Sequence, residues 1–131
     1  MKIVFVSNYV NHHQKSLSDA LDRLTDHNFH FIATSKMREE RRKFGYGNWE
    51  LPEYVIEAYT GQDAYTHAMN AIHGADAVIA GSAPEVYLKQ YIKSGKLLFR
   101  YSERPFKKGA SHIKFLPRYI KWHLQNPHSK P

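Results

Sequence analysis

The chain has 131 residues, 42% of them hydrophobic, a formal net charge of +7 and no cysteine. That length fits one domain able to bury roughly two-thirds of its unfolded surface, and the hydrophobic share argues against disorder. The missing cysteine excludes a disulfide framework and any thiolate-ligated metal site, while the positive charge favours polyanionic partners: nucleic acid, anionic lipid headgroups or phosphorylated substrates.

Lys2 to Ser7 is a β-branched apolar run, which predicts a strand covered on both faces, as in a parallel sheet. Its apolar stretch is far too short for a secretory or membrane-spanning segment, which predicts a cytoplasmic location. Asn11 is placed to cap the next helix, with Gln14 completing a capping box, and Leu17, Ala20, Leu21 and Leu24 form its predicted buried stripe. Phe29 to Ala33 reads as the second strand, and Ser35 to Phe44 as a charged helix ended by Gly45 and Gly47. Tyr54 to Tyr59 is the third strand. Thr60 then caps a helix, with Asp63 in its first turn, that runs to His73 and stops at Gly74. Asp76 to Ala80 is the fourth strand, and Ser82 with Glu85 forms a capping box for a helix ending near Gly95. Leu97 to Tyr101 is the fifth.

Strands alternating with helices predict right-handed crossovers and an α/β fold: a Rossmann-like three-layer α/β/α sandwich with a parallel sheet of order 3-2-1-4-5. The domain is expected over residues 1–126, with 127–131 a frayed or cut end. After the fifth strand the composition shifts. Arg104, Lys107, Lys108, Lys114, Arg118 and Lys121 crowd a segment with Phe106, Phe115, Tyr119 and Trp122, while Ile113, Leu116, Ile120 and Leu124 keep helical spacing as core-facing aliphatics. Such a segment suits an anionic membrane surface, or equally a docking helix whose cations reach solvent.

In open α/β sheets ligands bind at the carboxyl ends of the strands. Three loops there are chemically rich. Asn8, Tyr9, Asn11, His12 and His13 follow the first strand and offer amides, a phenol and imidazoles to a sugar or phosphate; the adjacent histidines are expected to point apart. Gly81 and Ser82 follow the fourth, small enough for a ligand to approach the backbone. Glu103 and Arg104 follow the fifth, a carboxylate able to act as a base beside a guanidinium able to hold a phosphate. Each has a plainer account: a capped turn, a helix cap and a surface ion pair of little value. The block Arg38 to Lys43 reads as a solvated face with internal pairs. No Gly-x-Gly-x-x-Gly or Walker-type loop is present, and the nine histidines lack metal-ligand spacing.

The opening Lys2–Asn8, the histidine-rich loop and its helix, Ala75–Ser82 and Phe99–Phe106 together resemble GT-B-type glycosyltransferases. More narrowly they are similar to the N-terminal domains of bacterial enzymes of the glycosyl transferases group 1 class (family 4 type), over essentially the whole chain. The resemblance implies two Rossmann-like domains facing across a cleft, of which this chain is the acceptor-binding half and a C-terminal domain holds the nucleotide-sugar donor. It implies metal-independent transfer, without a cofactor, to an acceptor glycan or lipid-linked acceptor during cell-surface polysaccharide assembly at the inner membrane face. Many such enzymes place a histidine at a late strand end; here Ser82 and Glu103 hold the comparable loops. Alone, the chain is expected to be inactive. A second reading is a non-catalytic α/β module docking on an anionic membrane or a partner subunit, and nucleic acid ranks last because no recognised module is visible.

Overall fold

Ile3–Ser7 forms β1, an apolar segment at the centre of the sheet. In the computed structural model the described residues are 1–46, 49–101 and the single positions Ile120 and Leu124. β1 pairs in parallel with β2 (Phe29–Ala33) on one side and β4 (Ala77–Ala80) on the other. β3 (Val55–Glu57) lies beyond β2 and β5 (Leu97–Arg100) beyond β4, so the order is the expected β3-β2-β1-β4-β5. In register, Phe5 stands between Phe31 and Ile79, and Val4 between His30 and Val78. Alternation along β1 therefore feeds two cores. Val4, Val6, Ile32 and Val78 meet Ala68 and Ile72 of α3 (Gln62–His73), together with Leu88 and Tyr91. On the opposite face Phe5, Phe29 and Phe31 pack with Val10 and Tyr54, and with Leu21 of α1 (His12–Leu24).

Several elements differ from the sequence expectation for local reasons. In α1 the buried positions are Gln14 and Ser18, while Leu17 is 36% and Leu24 80% exposed. Gln14 Nε2 donates to the buried Ser7 hydroxyl at 3.1 Å, and small Ser18 lets the helix lie close to the sheet, so the inward stripe runs Gln14, Ser18, Leu21. The Asn11 cap forms, its Oδ1 accepting from Gln14 N at 3.0 Å, but the Gln14 side chain turns to Ser7 instead of closing the box.

The charged helix shrinks to α2 (Glu39–Lys43), because Ser35 N and Oγ both donate to the Asn8 carbonyl and hold the preceding residues extended across the sheet edge. Gly45, at φ +82°, ends it; the second stop, Gly47, lies outside the described residues. β3 closes early in a turn where Thr60 N and Oγ1 both donate to the Glu57 carbonyl. Thr60 is thereby removed as a cap, and Gly61 takes that position. Ser82 caps nothing: the chain enters a 3-10 turn at Glu85–Tyr87 behind Pro84 and only then α4 (Lys89–Lys93), which Gly95 ends at φ +69°. Asp76 precedes β4, its carboxylate accepting from Lys2 N at 2.7 Å. Ile120 and Leu124 are helical but 49% and 78% exposed, so these two do not face the core; the remainder of the basic-aromatic segment lies outside the described residues. Among the described residues no helix is long and apolar enough to cross a membrane.

Candidate functional site

The loop leaving β1 is organised by Asn8. Its Oδ1 accepts from Tyr9 N at 2.8 Å and from the Ser7 hydroxyl at 3.3 Å, and its carbonyl accepts both Ser35 donors. The Asn8 oxygens thus serve the loop itself and tie the ends of β1 and β2 together. With Asn8 and Asn11 fixed, Tyr9 is held between two neighbouring cavities at the carboxyl edge of the sheet and lines both.

The inner cavity, about 150 Å³, lies over the ends of β2 and β3 and is walled by Tyr9, Ser35, Lys36, Arg42, Trp49 and Tyr59 among others. Glu57, at the end of β3, also lines it, and the Tyr59 hydroxyl donates to the Glu57 carboxylate. Burial and that carboxylate push the Tyr59 phenol up to about 12, against the opposing charge of Arg42, so it is a neutral donor at any physiological pH.

The outer groove, about 480 Å³, shares Tyr9 and Met37 with the inner cavity and adds Asn11, His12, His13, Arg41 and Tyr46. Here the structure corrects the expectation for the histidines. The His12 and His13 rings do not point apart; their centroids are 3.7 Å from each other, and Tyr46 stacks on His12 at 5.0 Å. Position 46 follows α2, and its ring draws His12 over the groove. The Arg41 guanidinium lies over the Tyr9 ring at 5.8 Å, within cation–π range.

Sequence reasoning passes over Lys36, Arg41 and Arg42 because mixed charges at helical spacing predict a self-paired face. Among the described residues the ion pairs are Lys15–Asp19 and Asp22–His27, neither of them in the cleft. With one turn of helix, α2 leaves Arg41 and Arg42 turned to the cavities, not to Glu39 and Glu40. It passes over Trp49, Tyr59 and Tyr46 too. Their only signal is aromatics flanking glycine-rich turns.

Gly81 and Ser82 line neither cavity. A Cβ at Gly81 would stand 2.7 Å from Ser7 Oγ and 3.1 Å from Phe5 Cε2, so the chain's own packing requires the small residue there. Glu103 and Arg104 lie outside the described residues. Just before them Arg100 ends β5 half-buried; burial pulls its pKa down, and the Glu85 charge opposes this. Among the described residues no three His, Asp or Glu side chains are grouped to hold a metal ion. Of the predicted ligand-binding residues the cleft gathers Tyr9, Asn11, His12 and His13. Comparison with protein-family models, curated proteins and solved structures finds no match.

Proposed function

We propose that this chain is the acceptor-binding half of a GT-B-type glycosyltransferase of cell-surface polysaccharide assembly. A second domain supplies the nucleotide-sugar site, and the chain works at the cytoplasmic face of the membrane. The observation that supports this reading best is the cleft at the carboxyl ends of β1, β2 and β3, where Tyr9, Trp49 and Tyr59 stand beside polar Ser35 and Glu57. Aromatic faces stack on the C–H faces of sugar rings while neutral and charged oxygens hold the hydroxyls, the usual composition of a small-molecule site with a few placed polar groups. In the proposed reaction the acceptor hydroxyl attacks the donor's anomeric carbon. A glycosidic C–O bond forms, the sugar–phosphate bond breaks, and the hydroxyl proton passes to a base, for which Glu103 is the candidate.

The test uses the chain itself. Oligosaccharides titrated into it should perturb NMR signals of Tyr9, Trp49 and Tyr59 and quench Trp49 fluorescence, an effect lost in Trp49→Phe. Anionic vesicles that bind in a salt-sensitive way, with no saccharide response, would instead favour the membrane-docking module, which the net charge of +7 also suits.

A further inference from the structure

The cleft carries more positive charge than a neutral saccharide needs. Lys36 and Arg42 line the inner cavity and Arg41 the outer groove, and among the described residues Glu57 is the one carboxylate in either lining. That carboxylate already accepts the Tyr59 hydroxyl. Three cations against one anion leave an excess of two positive charges over the described residues of the two linings. The first turn of α1, which opens on the outer groove, contains no acidic residue to offset its own positive end. A cleft of one sign with low-dielectric walls concentrates the opposite charge, and the planar fork of N–H donors on a guanidinium matches phosphate oxygens.

The size of the inner cavity narrows the rest of the ligand. About 150 Å³ is the volume that holds a single six-membered ring. We infer that the cleft binds a phosphorylated saccharide. One sugar ring sits in the inner cavity among Trp49, Tyr59 and Ser35, and its phosphate lies at the shared wall between Arg41 and Arg42. This deepens the acceptor-binding reading and rests on it, since it names the charge the acceptor carries. The outer groove, with His12, His13 and Tyr46, takes the part of the ligand on the far side of the phosphate.

The experiment is calorimetric titration of the whole chain with hexose phosphates, the matching methyl hexosides, inorganic phosphate, a nucleoside diphosphate and phosphatidylglycerol vesicles. Expected is a hexose phosphate bound about tenfold or more tighter than its neutral partner, the effect of one charge-assisted contact. In Arg41→Gln/Arg42→Gln the ratio of the two affinities should fall to about one. Both arginines are exposed, so the variant is expected to fold, and an unchanged NMR fingerprint checks this. Equal affinity for charged and neutral sugars overturns the inference and leaves the acceptor reading standing. Absence of any saccharide binding overturns both. Inorganic phosphate or a nucleoside diphosphate binding as tightly as hexose phosphate overturns the phosphosaccharide assignment. So does loss of vesicle binding alone in the double variant, which would make the arginines a lipid-headgroup contact.

Discussion

A methyl group added at Gly81 would meet the Ser7 hydroxyl, which is wholly buried and already accepts from Gln14. Neither side can yield without breaking that bond, so Gly81→Ala should cost about 1–3 kcal/mol, the range for overpacking a tight site. The urea midpoint measures it; a loss under about half a kcal/mol would mean that the contact relaxes freely. His30 sets a pH dependence at the same scale. Burial holds its pKa below the ordinary 6.5, with Lys2 and His67 adding to the effect and the Tyr54 backbone and Asp22 opposing it, and its Nδ1 is buried without a hydrogen-bond partner. The folded state thus binds fewer protons there than the unfolded state. The contribution is complete above the unfolded value and is lost as pH falls through 6.5 towards the lowered one. Unfolding midpoints should decline between about pH 7.5 and 5.5, and His30→Gln should flatten that decline; the same slope in the variant would assign it to other histidines.

Helix α1 shows how much of an element its own residues announce. Its start was legible because Asn11 capping is a local bond, made within one turn whatever the helix later packs on. Its buried face was not, since the sheet selects Gln14 through Ser7, a residue of another element, and Ser18 is buried one turn on. Two latches hold the helix in register. Asn11→Ala should cost about 1 kcal/mol and weaken saccharide binding, because the first turn carries His12 and His13 into the groove; Asn11→Asp should retain both. The second latch is the Tyr54 hydroxyl, which donates to Asp19 Oδ1 at 2.6 Å on the face of the sheet that α1 covers. Burial raises the Asp19 pKa, but the bonds from Lys15 and Tyr54 outweigh it and leave the group below its ordinary value. Tyr54→Phe should therefore lose about 1–2 kcal/mol near neutrality. It should lose less as pH falls through the Asp19 titration, because the carboxylate that accepts the bond is then protonated in either chain. A penalty independent of acid would mean that the hydroxyl acts through packing alone.

At the scale of the molecule, strand order followed from periodicity alone, since five apolar segments spaced by helices leave few right-handed ways to build a parallel sheet. The side on which the cleft opens did not follow from it. The general rule places ligands where the strand order reverses, between β1 and β4, but there Gly81 closes on Ser7, with Gly81 N donating to the Val6 carbonyl at 2.8 Å. Among the described residues space opens over β2 and β3, where Ser35 is tied to Asn8. That choice depends on hydrogen bonds between segments 27 residues apart in the chain, which no local pattern encodes. It also predicts where ligand binding will be felt. In hydrogen exchange the amides of β1 should be the slowest, being paired on both sides and buried, and residues 34–46 among the faster, with one short helix and mostly exposed side chains. A hexose phosphate bound in the cleft should slow exchange over 34–46 and at the first turn of α1, and leave residues 82–86 unchanged. Protection appearing at 82–86 would put the ligand at the point where the strand order reverses, and the cations after β2 would then have no part in holding it.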